Sequence, residues 1–77
     1  MTKNARGFIM ISVHSFDGKS PYCYISTYTG AGATSRQVSY DYAMAELQRL
    51  EQLGKLRHEI NSWPKIKFET WTLWHTN

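Results

Sequence analysis

Two runs of alternating apolar residues, separated by an Asp-Gly pair, constrain the fold more than any other feature of this 77-residue chain. The runs are GFIMISVHS, residues 7–15, and PYCYISTYT, residues 21–29, and Asp17-Gly18 lies between them. Both runs are rich in β-branched and aromatic residues, which favour strands, and Asp-Gly favours a tight turn. The pattern predicts a β-hairpin.

The register of this hairpin follows from its side-chain alternation. A connection with an odd number of residues, such as a three-residue turn with a bulge, places Val13 opposite Cys23 and Ile11 opposite Ile25. One face is then mostly apolar. The other face carries polar residues and three tyrosines, namely Tyr22, Tyr24 and Tyr28. A connection with an even number of residues would mix tyrosines and isoleucines on both faces, so we expect the odd one.

The middle of the chain predicts a connector followed by one helix. Within TGAGATSR, residues 29–36, Gly30 to Ala33 end the hairpin, and Thr34 and Gln37 have the spacing of a capping box. Ser39 is a second possible N-cap. Apolar residues then recur every three or four positions from about residue 40, which indicates an amphipathic helix. Gly54 is the expected C-terminal cap.

The end of the chain predicts one strand, and the segment before that strand could be either a strand or a continuation of the helix. KLRHEI, residues 55–60, alternates as a strand does, yet its apolar residues also fit a continued helix. KIKFETWTLW, residues 65–74, predicts a strand that has either a bulge near Thr70 or an unusually apolar outer face. The expected fold class is α+β, a small antiparallel sheet of three or four strands with one helix on one face, in the order β-β-α-β or β-β-α-β-β.

Length and composition narrow the class of protein. Seventy-seven residues make one domain, which we place at residues 7–77 with a flexible N-terminus at residues 1–6. The longest apolar run, residues 8–11, is too short for a signal peptide or a membrane span. Cys23 is the only cysteine, so no internal disulfide can form. We therefore expect a cytoplasmic protein.

The residues that could carry chemistry do not form a catalytic, metal or cofactor motif. TGAGATSR has Ser35 where a dinucleotide fingerprint needs its third glycine, so we expect a connector there. The histidines lack the spacing of a zinc site. Cys23 and His14 point to opposite faces of the hairpin, and Cys23 is expected in the core. These patterns predict a protein that is not an enzyme and has no cofactor or bound metal.

The surplus of aromatic residues is the strongest functional signal. Three tryptophans, five tyrosines and three phenylalanines exceed what one small core can hold. One helix covers one sheet face, so we expect large rings on the other face, where exposed aromatic and basic residues are typical of protein-binding sites. The candidate partner-binding residues are Tyr22, Tyr24, Tyr28 and Trp71 as anchors, with Lys65 and Lys67 as a charged rim. A homodimer through this face is a second possibility.

Nucleic acid is the alternative partner. Aromatic residues interleaved with lysines on a sheet can stack single-stranded bases. Residues 39–74 also resemble the recognition helix and wing of a winged-helix domain, through the pattern L-x-x-L-E-x-x-G-K-L at residues 47–56. The segment before that pattern predicts a hairpin, whereas a winged helix has two helices there. Despite this difference, the aromatic residues and lysines leave a regulatory nucleic-acid-binding protein as the alternative.

The overall form resembles the small inhibitor proteins that bacteriophages and other mobile elements encode against host machinery, including anti-CRISPR-like proteins. The features shared are a compact α+β unit, a β-β-α-β order, the lack of a catalytic motif and an aromatic-rich surface. The resemblance implies a protein that blocks a functional surface of a host protein or protein complex by steric occlusion.

Overall fold

The structure, a computed structural model, describes residues 7–75, so the predicted flexible N-terminus lies outside the described residues. Five strands and one helix follow one another in the order β-β-β-α-β-β. They are β1 (Gly7–Phe16), β2 (Tyr22–Thr29), β3 (Gly32–Val38), α1 (Tyr40–Leu53), β4 (Arg57–Trp63) and β5 (Ile66–His75). Within residues 7–75 no helix has the length and apolar character needed to cross a bilayer.

All five strands form one antiparallel sheet in the order β3-β2-β1-β5-β4. The prediction of three or four strands was therefore wrong. Strands β3 and β4 together contain as many residues as helix α1, so the sheet dominates the molecule. The single helix packs on one side of the sheet, over β1 and β2. We call that side the helix side and the opposite side the outer face.

The register predicted for the first hairpin is confirmed. Val13 pairs with Cys23 and Ile11 with Ile25, so these four side chains share the helix side. The connection has an odd number of residues but is longer than the predicted three-residue turn, since it runs over residues 17–21. Gly18 has a φ of 73°, in the left-handed region that glycine adopts without a steric penalty.

The segment TGAGATSR forms a turn and a strand, and the capping box predicted at Thr34 and Gln37 was wrong. Gly30 and Ala31 make a two-residue turn, and β3 then pairs along β2 as far as Val38 opposite Cys23. Strand β3 contains few apolar side chains, so periodicity could not predict it. Its backbone pairs with the otherwise open edge of β2, which is a long-range interaction.

Helix α1 begins after Ser39, the second of the two N-caps considered, and ends before Gly54, the predicted C-cap. The Ser39 hydroxyl accepts a hydrogen bond of 3.1 Å from the backbone N–H of Tyr42, and the N–H of Gly54 donates to the carbonyl of Leu50. Ala43 and Leu50 are fully buried, as their spacing indicates. The core lies between this helix and the sheet. Its buried apolar members are Ile11, Val13, Cys23, Ala43, Leu50 and Leu73.

The C-terminal half resolves the ambiguity over residues 55–60 in favour of a strand. Strand β4 pairs with β5 from Arg57, opposite Thr72, to Trp63, opposite Ile66. Strand β5 pairs with β1 without interruption from Ile66 to His75. The bulge considered near Thr70 is thus not present in β5, and the alternative, an unusually apolar outer face, describes the strand.

The thiol of Cys23 provides a test of the core. Its side chain is buried, and burial raises the pKa of the thiol because the thiolate is poorly solvated there. We expect iodoacetamide at pH 8 to alkylate Cys23 at least about tenfold more slowly in the folded protein than in urea, since reaction requires opening of the core. Mass spectrometry of the alkylated fraction over time measures the rate. Equal rates in the two conditions would place Cys23 at the surface.

Candidate protein-binding face

The outer face collects most of the aromatic side chains of the protein. Because side chains alternate along a strand, the register places every second residue of each strand on this face. Eight of the eleven aromatic residues lie there, and they are Phe8, Phe16, Tyr22, Tyr24, Tyr28, Trp63, Phe68 and Trp74. The helix lies on the other side of the sheet, so no described element of the chain covers these rings.

Three of these rings form a ridge across one end of the sheet. Phe8 of β1 stands between Tyr28 of β2 and Trp74 of β5, with ring centroids 5.5 Å and 4.9 Å apart. Tyr28 and Trp74 are 45% and 53% exposed, so the two ends of this first ridge face solvent. At the same end of the sheet, residue 7 has to be glycine, because a Cβ at this position would overlap the carbonyl oxygen of Tyr28.

A second ridge crosses the opposite end of the outer face. His14 contacts Tyr24 and Phe68, with ring centroids 5.4 Å and 4.6 Å apart, and Phe16 contacts Tyr22 at 5.8 Å. Between the two ridges, the outward residues of β1, β2 and β5 are Met10 and four hydroxyl residues, Ser12, Ser26, Thr70 and Thr72. Ser12 and Thr70 are buried. The outer face thus has an aromatic ridge at each end and mostly small polar side chains between them.

Charged side chains are segregated from this face. The outward positions of β1, β2, β3 and β5 hold no Lys, Arg, Asp or Glu. Arg57 and Glu59 on the edge strand β4 are the exceptions, and they pair with each other at 3.4 Å. An uncharged aromatic surface loses little solvation free energy when a partner covers it, because no ion has to be desolvated.

The predicted partner-binding residues fall into two groups. Tyr22, Tyr24 and Tyr28 lie on the outer face, as their alternation indicates. Trp71, expected on the outer face, lies on the helix side, where it is half-buried against the core. Lys67 is also on the helix side, so it does not border the outer face, and Lys65 is in the turn between β4 and β5.

The error in β5 was one of phase. Trp71 and Lys67 were expected on the outer face, and side-chain alternation would then turn Ile66 and Phe68 toward the helix. The register with β1 has the opposite phase, with Phe68 beside His14 and Trp71 beside Ile11. Lys67 tolerates the helix side because α1 does not reach this part of the sheet. Sequence reasoning therefore missed part of the outer face, namely Phe8, Phe16, Trp63, Phe68 and Trp74.

Polar and charged side chains also cluster on the part of the helix side that α1 does not cover. His58 donates a hydrogen bond of 2.6 Å from Nε2 to Glu69, and its ring stacks on Trp71 with centroids 5.0 Å apart. Lys67 Nζ lies 3.9 Å from the same carboxylate. The cluster is open to solvent, and a nucleophile is not among its members. It therefore has the form of a surface ion-pair network.

Metal-ligating and nucleophilic side chains are dispersed over the part of the chain that the structure describes. Residues 7–75 contain no group of three His, Cys, Asp or Glu side chains placed to hold a metal ion. Cys23 and His14 lie on opposite sides of the sheet, as their register predicts, so they do not form a nucleophile–base pair. The outer face therefore remains the most distinctive surface feature.

No protein-family model, no curated protein and no solved structure matches the chain.

Proposed function

We propose that this protein is a non-enzymatic binding module whose outer face docks on another protein. The observation that supports the proposal is the concentration of eight aromatic side chains on a sheet face that no described element covers. Tyr and Trp are enriched at the energetic centres of protein interfaces, because they bury much area with few rotatable bonds. A layer of sheet also normally buries its apolar face against a second layer.

The size of the face agrees with one ordinary interface. Five strands about 4.8 Å apart, with about eight residues each at about 3.3 Å per residue, give a footprint of roughly 600 Å². Protruding rings increase the accessible area above this flat estimate. Stable complexes bury about 800 Å² on each partner. The whole outer face is therefore of the size that one protein partner would cover.

The charge pattern favours a protein over nucleic acid as the occupant. Nucleic-acid-binding sheets place Lys or Arg beside the stacking rings to neutralise phosphates. Among the outward residues that the structure describes, Arg57 at the edge is the only lysine or arginine, and Glu59 already pairs with it. A partner surface with apolar and uncharged polar groups complements this face better than a polyanion does.

Steric occlusion is the mode of action that we propose, as the likeness to phage-encoded inhibitors implies. A chain of 77 residues with one aromatic face can cover a functional surface of a host protein and exclude its natural ligand. This mode needs neither a cofactor nor a catalytic group.

Affinity capture with a pair of matched double variants tests the proposal. Tyr28→Ser with Trp74→Ser removes the exposed ends of the first ridge. Tyr40→Ser with Leu53→Ser removes two side chains of similar exposure, 49% and 61%, from the helix. We expect the immobilised protein and the helix variant to retain the same host protein from lysate, identified by mass spectrometry. The outer-face variant should lose it, with an affinity at least about a hundredfold weaker when measured with the purified partner.

Three results would overturn the proposal. One is retention of the host protein by the outer-face variant at wild-type affinity. Another is a homodimer, measured by sedimentation, that the outer-face variant dissociates, since the occupant would then be a second copy. The third is single-stranded DNA or RNA binding that the outer-face variant loses and that falls steeply with salt concentration.

A further inference from the structure

Strand β3 is an exposed sheet edge without the usual protection. It ends the strand order, and its residues from Gly32 to Gln37 are exposed. Natural edge strands are commonly blunted by lysine, proline, paired charges or bulges. The other edge, β4, carries the Arg57–Glu59 pair and is followed by Pro64. By contrast β3 has one charged residue, Arg36, and pairs with β2 in regular register throughout.

A groove on the outer face runs beside this edge. It is lined by Phe8, Met10 and Tyr28 on one side and by the small side chains of Ala33 and Ser35 on β3. Because Ala33 and Ser35 are short, a large side chain on a strand placed next to β3 can extend over them and contact Tyr28. The lining is predominantly apolar, so the groove suits an aliphatic or aromatic side chain.

A second groove flanks β3 on the helix side, between the strand and α1, with a volume of roughly 210 Å³. Its polar lining comes from Thr34 and Arg36 on β3 and from Glu46 and Arg49 on the helix. Arg49 is already paired with Glu46. Among the described residues Arg36 has no carboxylate partner. Its guanidinium donates a 3.1 Å hydrogen bond to the Tyr42 hydroxyl and lies 5.4 Å from the centre of that ring.

We propose that an extended segment of the partner protein pairs with β3 as a sixth strand of the sheet. Main-chain hydrogen bonds to the free edge supply affinity in this binding mode, and grooves for alternate side chains supply specificity. Successive side chains of a strand point to opposite faces, so one set enters the apolar groove and the other faces Arg36. The segment that fits alternates apolar residues with Asp or Glu. This inference rests on the proposed function and names the chemistry of the partner.

Synthetic peptides are the probe for this mode of binding. The first is a nine-residue peptide of alternating leucine and glutamate, and the second has lysine in place of each glutamate. A third has the first sequence with alternate backbone nitrogens methylated, in the two possible frames. Titration calorimetry should detect binding of the first peptide and not of the lysine peptide. Of the two methylated frames, the one whose methyl groups face β3 should bind at least about tenfold more weakly, because it lacks main-chain hydrogen bonds, whereas the other should bind as the first peptide does.

Charge reversal identifies the edge at which the peptide binds. Arg36→Glu should weaken the glutamate peptide at least about tenfold and allow the lysine peptide to bind, because the sign of the interaction is reversed. Arg57→Glu on β4, the exposed arginine of the other edge, is the matched control and should change neither affinity by more than about twofold. Circular dichroism and thermal unfolding verify that both variants remain folded.

The inference is overturned if Arg36→Glu and Arg57→Glu weaken the peptide equally, if both methylated frames bind as the parent does, or if none of the peptides binds. It is also overturned if Arg36→Glu dissociates a homodimer, because a second copy would then occupy β3. Capture from lysate separates this failure from that of the proposed function. Loss of the partner by Tyr28→Ser with Trp74→Ser, but not by Arg36→Glu, leaves the proposed function standing and removes the strand addition. Capture unchanged by both variants removes both.

Discussion

Replacing Leu50 with alanine is expected to lower the free energy of unfolding by about 3 kcal/mol. Leu50 is 1% exposed and lies in the centre of the single layer of core between α1 and the sheet. The substitution removes apolar contacts and leaves a cavity that a small domain cannot refill by collapse. A domain of this length has a total stability of about 4 to 12 kcal/mol, so the loss is a large share of it.

Leu53, one turn further along the same helix, provides the matched control. It is 61% exposed, so Leu53→Ala should change the free energy of unfolding by less than about 0.5 kcal/mol. Urea unfolding followed by circular dichroism measures both variants against the wild type. Equal effects of the two substitutions would mean that α1 does not pack on the sheet through the face that contains Leu50.

Replacing Trp71 with alanine is expected to destabilise the protein by about 3 kcal/mol, whereas Trp74→Ala should cost about 1 kcal/mol. The two tryptophans are three residues apart on β5 but lie on opposite sides of the sheet. Trp71 packs against the core and stacks on His58, while Trp74 is half exposed and contacts Phe8. The difference in burial is the physical reason for the difference in cost.

The same pair separates stability from binding. Trp74→Ala should weaken capture of the partner more than it affects unfolding, because it truncates an exposed end of the first ridge. Trp71→Ala should act on binding only through loss of folded protein, so that its folded fraction binds as the wild type does. Chemical unfolding and affinity measurements on the same two samples provide the comparison. If Trp74→Ala lowered the free energy of unfolding and Trp71→Ala left it unchanged, the phase assigned to β5 would be wrong.

Parts of this structure were predictable from local sequence because local interactions dominate them. The β1–β2 register follows from alternating apolar residues, since a slip by one residue would move Ile11 and Val13 out of the core. The helix ends follow from Ser39 and Gly54, which satisfy backbone groups within a few residues of themselves. The three outer-face tyrosines followed from the same hairpin register.

Strand β3 and the phase of β5 were not predictable in this way. The residues of β3 are nearly all exposed, so its conformation depends on pairing with β2 and leaves little apolar pattern. In β5 both sides carry large apolar side chains, and periodicity alone cannot decide which side faces the core. Pairing with β1 and the limited reach of α1 decide it, and both are long-range features.

Sequence patterns alone are sufficient to predict a hairpin with one apolar face, one capped amphipathic helix and more aromatic residues than a small core can hold. Alternation, capping chemistry and composition are all local or additive, so they can be evaluated without knowing which strands are neighbours. Which of these aromatic rings are exposed to solvent depends on the tertiary structure. A helix of 14 residues covers β1 and β2, and the pairing of five strands gathers eight of the eleven aromatic rings on the opposite face.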